Sequence, residues 1–385
     1  MKISILTSGR PPYDDRLFYH MAITLKMAGH KVFMISAKTS QEAITDDIFI
    51  GGFEGSMLSK KEKINQFVRI LNLNKPDVII CPEPLTVVAA AKYARKAVTR
   101  PGIIYDVTEW YPSKKFLINY RKCFRWLHFI RMALLNLYAA WLSSAYIFGE
   151  HYKSLPFRVM FPLKHYCSTP YYPDLEYIPT VFVPPPRDNI SICYSGKIST
   201  EKGFLNLVRA LTAFCNLKPG FLVELSIIGW YENQGDKDEC ESYLEQLPAQ
   251  VQVKFSDLLP FRNYLEAISR SHIFIDLREP DLENHHCLPI RLFYAAAFGR
   301  PAIYSNLRAI RKEVNISTFG HLVDPRQSNL IAHLIASYVN DADLYNTHCR
   351  NARKAAEEKY NWSLIKSNFI AFVEKQASIG GKSAL

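Results

Sequence analysis

Residues 2–7 form a compact apolar run that ends in a Ser-Gly-Arg-Pro-Pro turn, the pattern of a buried strand. Leu17, Phe18, Met21, Leu25 and Met27 follow at mostly helical spacing, with Asp15 placed to cap a helix and Gly29 to stop it. The same reading predicts strands over 31–36, 78–81, 102–107 and 145–148, and helices over 61–73, 86–96 and 117–142. Apolar strands separated by helices imply a parallel sheet covered on both faces. Residues 154–187 break the rhythm: they are crowded with Pro and Tyr and end in Val183-Pro184-Pro185-Pro186, which reads as a connector. The alternation then resumes, with strands expected at 190–194, 222–228, 252–255, 272–277, 302–304 and 321–323, helices between them, and a closing helix over 362–376. The expected architecture is α/β, with two doubly wound Rossmann-like domains facing a central cleft. The boundaries are 1–180 and 181–360, with a C-terminal helix in 361–385 packing back toward the first domain. Such domains bind ligands at the carboxyl ends of their strands.

Length agrees, since 385 residues exceed one ordinary core. Charge adds something the hydrophobic pattern does not show. The formal net charge is +11, yet residues 188–385 hold 22 basic and 22 acidic side chains, whereas 1–187 hold 25 and 14. The whole excess lies in the first half, where it suits an anionic surface or a phosphorylated lipid. It is concentrated further between Trp110 and Phe148, a stretch with no Asp or Glu in which Lys114, Lys115, Arg121, Lys122, Arg125 and Arg131 alternate with Phe116, Tyr120, Phe124, Trp126 and Phe129. This reads as peripheral contact with an anionic membrane, against the plainer reading of rings packed on the first sheet and solvated cations. The apolar stretch 132–148 is short for a membrane span and contains Asn136, Ser143 and Ser144, and the N-terminus lacks the pattern of a signal peptide, so a cytoplasmic, soluble or peripheral protein is expected. The eight cysteines include no CxxC pair and read as reduced thiols; no metal site is expected.

Two strings carry chemistry. In Tyr194-Ser195-Gly196-Lys197-Ile198-Ser199-Thr200-Glu201-Lys202-Gly203, a strand is expected to end at Ser195, a glycine-bearing loop to follow, and a helix to start near Glu201. That arrangement offers free backbone N–H groups and a helix N-terminus, with Lys197 and Lys202 placed to neutralise a diphosphate. A plain turn with solvated lysines is the alternative. The second string runs from Asp276 to Pro301, a polar loop followed by a helix from about Pro289 to Gly299. Its acidic and amide groups suit sugar hydroxyls and its helix start suits a phosphate.

Together these strings resemble the donor half of glycosyltransferase family 4, which has the GT-B fold. Gly196, Lys197, Lys202 and Gly203 match the family's G-R/K-x4-K-G loop, and Pro289, Arg291, Leu292, Phe293, Gly299, Arg300 and Pro301 match its P-x-K-L-F-E-Y-x3-G-K-P string. Asp14-Asp15-Arg16 with Ala22, Leu25, Gly29, His30 and Val32, the run Tyr105 to Pro112, Gly320 to Pro325, and Tyr360-Asn361-Trp362 resemble further family strings in the same order. Three positions depart: Tyr294 stands at the family's ribose-binding carboxylate, His286 at an acidic position with Glu283 three residues upstream, and Thr108 at a histidine.

The resemblance implies transfer of a sugar from a UDP- or GDP-sugar, with retention and without a metal or other cofactor, to a glycan or lipid-linked sugar in cell-surface polysaccharide synthesis. It implies that Gly196, Lys197, Lys202, Glu283, Asn284, His286, Arg291, Leu292 and Tyr294 hold the donor. Lys197 and Lys202 would stabilise the leaving diphosphate, and Asp106 and Glu109 would orient acceptor or sugar. No clear carboxylate nucleophile is present, which favours front-face attack assisted by the leaving phosphate. Asp341-Ala342-Asp343 resembles the metal-binding pair of another glycosyltransferase class but sits where a surface helix should start, so capping explains it. A nucleotide-sugar epimerase and a non-catalytic scaffold of the same fold remain as alternatives. A dinucleotide oxidoreductase is disfavoured because Ser8-Gly9-Arg10-Pro11-Pro12 lacks the three-glycine fingerprint, and nothing suggests a nucleic-acid partner.

Overall fold

The structure, a computed structural model, describes residues 1–109, 117, 120–179 and 181–382. The chain divides into two units, one formed by Met1–Tyr171 with the chain from Ile365 onward, the other by Tyr172–Leu364.

In the first unit, β1 (Lys2–Thr7) leads through a loop into a π-helical stretch, Asp15–Ala22, that continues as α1 (Ile23–Met27). The cap is Asp14 rather than Asp15; its carboxylate accepts from the N–H groups of Arg16 and Leu17. There follow β2 (Lys31–Ser36), a hairpin of β3 (Ala43–Thr45) and β4 (Ile48–Gly52), α2 (Lys60–Asn74), β5 (Val78–Cys81), α3 (Pro84–Ala94) and β6 (Gly102–Val107). After a 3₁₀ turn at Lys122–Phe124 come α4 (Arg125–Leu142), β7 (Ala145–Phe148), α5 (His151–Met160) and β8 (His165–Ser168). The sheet order is β3-β4-β2-β1-β5-β6-β7-β8, parallel except for the hairpin. Its central strands are buried on both faces, which is why each reads as a continuous apolar run.

Two parts of this sheet depart from the expectation. The segment 154–187 is not wholly a connector, because α5 and β8 lie within or overlap it and β8 pairs in parallel with β7. Pro156 inside α5 and the mostly exposed, weakly apolar edge strand His-Tyr-Cys-Ser hide the helix–strand pattern. The β3–β4 hairpin was also not anticipated. Asp46 and Asp47 sit at positive φ (51° and 57°), the backbone of a tight two-residue turn, and that pair between apolar runs was a usable signal.

The second unit contains β9 (Asn189–Lys197), α6 (Phe204–Leu217), β10 (Leu222–Trp230), α7 (Gln234–Leu244), β11 (Val251–Ser256), α8 (Phe261–Ile268), β12 (Ile273–Asp276), the short α9 (Leu282–His285), α10 (Ile290–Ala297), β13 (Ala302–Ser305), α11 (Arg308–Glu313), β14 (Gly320–Val323), α12 (Ser328–Asn340), α13 (Ala342–Glu358) and the start of α14 (Trp362–Lys382). Its sheet order is β11-β10-β9-β12-β13-β14, all parallel. This is the doubly wound Rossmann order, with its topological switch between β9 and β12. Asp341 caps α13 by accepting from Leu344 N–H at 2.9 Å, as capping required. Both units are thus Rossmann-like α/β sheets of mostly parallel strands.

Candidate functional site

In a doubly wound sheet the strand order reverses at one point, and the strand ends there face a crevice. In the second unit that place is built by the ends of β9 and β12. Gly196 lies near the end of β9 at φ +105°, and a Cβ there would sit 2.9 Å from the Arg291 guanidinium. Its neighbour in register, Gly229 of β10, would place a Cβ 1.9 Å from the Gly196 carbonyl oxygen. Two glycines therefore let a strand pair and an arginine crowd together. Gly203, at φ +85°, caps α6, and a Cβ on it would come 2.2 Å from the Leu277 carbonyl, so the 198–203 loop lies directly on the end of β12. The Glu279 N–H donates to the Glu201 carbonyl at 3.2 Å and ties the two loops together.

Charge converges on this point. Asp276, the last residue of β12, is buried and accepts from Arg278 Nε at 2.8 Å and from the second arm of the same guanidinium; Arg291 approaches to 3.4 Å. Burial pushes the Asp276 carboxyl up, but Arg278, then Arg291 and Lys202, outweigh it and bring its pKa down to about 2. Lys202 Nζ donates to Asn284 Oδ1 at 2.9 Å and lies 3.4 Å from Glu201. Asn284 is itself fixed: it is fully buried, its N–H donates to the Asp281 carboxylate and its amide donates to the Glu279 carbonyl. Burial, then Arg278, holds the Lys202 pKa below the usual lysine value. Lys202, Arg278 and Arg291 thus gather near one buried carboxylate, with Glu201 beside Lys202.

Several expected site residues are placed differently. The expected loop starts later than the sequence suggests: β9 runs through Lys197 and α6 begins at Phe204. The N–H groups of Lys202, Gly203 and Phe204 already bond the Ser199 and Thr200 carbonyls, so these three are not free donors for a phosphate. Lys197 pairs with Glu232, with Asp236 4.0 Å away. Burial works against its charge and the Glu232 contact outweighs that, which raises its pKa. Leu292 and Tyr294 are buried, and the Tyr294 ring packs edge-on against Tyr264 and Phe261, so both face packing rather than open space. Glu283 and His286 are half-buried beside Asn284. His285 has a buried Nδ1 with no hydrogen-bond partner, and burial, then Arg308, lowers its pKa. Arg278 and Glu232 were missed. The Asp-Leu-Arg sequence at the end of an apolar strand was the available signal for Arg278; no local signal marks Glu232.

The corresponding point of the first unit lies between β1 and β5. Glu83, ahead of α3, accepts from Thr7 Oγ1 at 2.9 Å, Ser8 N–H at 2.9 Å and Gly9 N–H at 3.2 Å. A side chain of the protein itself fills this anion-binding turn. Asp106, at the end of β6, is fully buried, and both of its oxygens are taken by Arg16, at 2.9 and 2.8 Å. Arg16 also donates to the Thr169 carbonyl and lies 4.4 Å from the centre of the Tyr171 ring. Asp106, expected to orient acceptor or sugar, is here held by a two-armed pair with Arg16. Glu109 is partly exposed, 4.0 Å from Arg10. Thr108 is buried, and its carbonyl accepts from Lys153 Nζ at 2.7 Å. Asp15 is pushed up to about 6 by burial and then by Asp14. Trp110, Tyr111, Pro112, Lys114, Lys115 and Phe116 lie outside the described residues.

The family described as "Glycosyl transferases group 1" matches residues 182–358, the stretch that holds this cationic site. The capsular polysaccharide biosynthesis glycosyltransferase CapM of Staphylococcus aureus is 29% identical over 196 residues, covering 49% of this chain and 48% of that protein. The match therefore spans about half the length of that curated relative. Among solved structures, sucrose-phosphate synthase from Thermosynechococcus elongatus aligns with a TM-score of 0.75 at 14% identity over 98% of this chain and 99% of that one. Anabaena HepE in complex with UDP and glucose aligns with a TM-score of 0.72 at 16% identity over 97% and 100%. At such identities these structures speak for the fold.

Proposed function

We propose that the chain is a glycosyltransferase that takes a sugar from a nucleoside-diphosphate donor, UDP- or GDP-linked, and passes it to a glycan or lipid-linked sugar acceptor in cell-surface polysaccharide synthesis. The carrying observation is the convergence of Lys202, Arg278 and Arg291 on the switch point of the second unit, inside the stretch that matches group 1 glycosyl transferases. The likeness of the fold to a protein solved with UDP and glucose supports a nucleotide-sugar donor.

As the bond from the sugar's anomeric carbon to the diphosphate breaks, negative charge grows on the leaving oxygens. Fixed cations in a part-buried site stabilise that charge without reorganising. Lys202, held by Asn284, and Arg291, held against Gly196 and Asp276, are the cations best placed to do so. They supply charge that a metal would otherwise bring, which supports metal-independent transfer. With Asp106 closed by Arg16, the first unit offers no free buried carboxylate at β6 to act as a nucleophile. Retention, which the family resemblance implies, would then proceed by front-face attack: the acceptor oxygen bonds the anomeric carbon as the phosphate oxygen departs, and the acceptor proton passes to that phosphate. The basic first half supports an acceptor met at an anionic membrane on its cytoplasmic face.

The test is calorimetry and thermal shift with UDP, GDP and their sugars. One nucleotide is expected to bind at micromolar to low-millimolar levels and to raise Tm, since a ligand of the folded state adds to its stability. Absence of binding by every nucleotide would leave the non-catalytic scaffold as the better reading. An altered nucleotide sugar formed without acceptor would point to an epimerase.

A further inference from the structure

Helix α4 has two unlike faces. Asn136, Ala139 and Ala140 are buried against the first sheet. Along its opposite side run Trp126, Leu127, Ile130, Leu134, Tyr138 and Trp141, at helical spacing and all exposed, with Trp126, Leu134 and Trp141 at 64%, 60% and 63%. From Trp126 to Trp141 the stripe is about 22 Å long, nearly the whole helix. A stripe of that size on a folded protein marks something that covers it.

The turn between α5 and β8 extends the stripe. Lys164 Nζ donates to the carbonyls of Ala140, Trp141 and Ser143 at 2.7, 2.7 and 2.6 Å, which pins the turn to the C-terminal end of α4. Beside that lysine, Leu163 is 95% exposed and Val159 80%. The basic side chains Arg121 and Lys122 are exposed just ahead of α4 and Arg131 is exposed on it, and Arg158 lies 5.0 Å above the Tyr166 ring at the turn. No Asp or Glu occurs between Trp110 and Phe148, and Glu150, just beyond, is buried.

We propose that the outer face of α4, together with the α5–β8 turn, docks on an anionic bilayer surface. The tryptophan and tyrosine rings would lie at the headgroup level and the cations among the lipid phosphates. Charge selects this occupant over a second copy of the chain. Two copies joined face to face through this patch would bring like charges together with no carboxylate between them. Among the described residues no helix is long and apolar enough to cross a membrane, so the contact lies along the surface. The proposal deepens the acceptor part of the function proposed above and rests on that reading only for its purpose.

The experiment is flotation of the full chain with vesicles of phosphatidylcholine alone or mixed with phosphatidylglycerol. Binding is expected only to the anionic vesicles and falls with added salt. The triple variant Arg121→Gln, Lys122→Gln, Arg131→Gln is expected to bind about a hundredfold more weakly, as three surface cations should. The variant Trp126→Ser, Trp141→Ser is expected to lose binding while its Tm holds, and brominated phosphatidylglycerol should quench the fluorescence of the unaltered chain. Equal binding to both vesicle types, no binding at low salt, or dimers without vesicles that the tryptophan variant abolishes would each overturn the proposal. Nucleotide binding, measured in parallel, is independent of all these outcomes, so a failure here is separable from a failure of the donor site.

Discussion

The two units place polar groups at the same topological point and use them oppositely. At the switch between β1 and β5, the turn that could hold an anion is filled by Glu83, and nearby Asp106 is closed by Arg16. At the switch between β9 and β12, one buried carboxylate, Asp276, faces Arg278, Arg291 and Lys202. The first cluster neutralises itself and is built to stay in place. The second gathers three cations near one buried carboxylate, with Glu201 beside Lys202, in a part-buried setting where an incoming diphosphate gains most. A Rossmann-like strand order thus provides a place for an anion, and the side chains decide whether that place is already taken.

Breaking the first cluster should have the largest effect, and on stability. Asp106→Asn or Arg16→Met leaves a buried charge without its partner and is expected to cost about 3–5 kcal/mol by urea denaturation. A loss below about 1 kcal/mol would mean that the pair is wetter than its burial shows.

Breaking the second cluster should act on turnover instead. Lys202→Ala is expected to lower kcat by on the order of a hundredfold with Tm almost unchanged, the usual effect of removing one donor to a charged transition state. Full turnover in this variant would sink the donor-site assignment.

Lys197→Ala sharpens the contrast within the same loop. Its ammonium is held by Glu232 in a partly exposed pair, so the expected loss of turnover is about fivefold or less. A loss matching that of Lys202→Ala would show that Lys197 leaves Glu232 when the donor binds.

The smallest effect is one of pH. Burial and Arg278 lower the Lys202 pKa, and a diphosphate pairs with the protonated amine. Nucleotide affinity should therefore fall as pH rises, with onset below the ordinary lysine range and a slope of no more than about tenfold per pH unit. Calorimetry across alkaline pH reads this directly, and Lys202→Met should flatten the profile.

Much of the fold was legible in the chain itself. Buried parallel strands need apolar side chains on both faces, so β1, β2, β5, β6 and β7 stand out as unbroken runs. Edge strand β8 is half polar and the β3–β4 hairpin is short, so neither has a run to read. In the candidate site, Gly196, Lys202 and Asn284 stand out because their loops carry glycine, lysine and amide groups at the ends of apolar strands, whereas Arg291, on α10, was singled out by the family resemblance. The sequence by itself determined two α/β units, the loops that end their strands, and the basic excess of the first half. Only the tertiary structure decided which charges are spent. Whether Asp106 meets Arg16, 90 positions away, or Lys197 meets Glu232 depends on which strand ends become neighbours, and spacing along the chain does not encode that. Ion pairing is set by distances of a few ångströms and by burial, and both exist only after the sheets have formed.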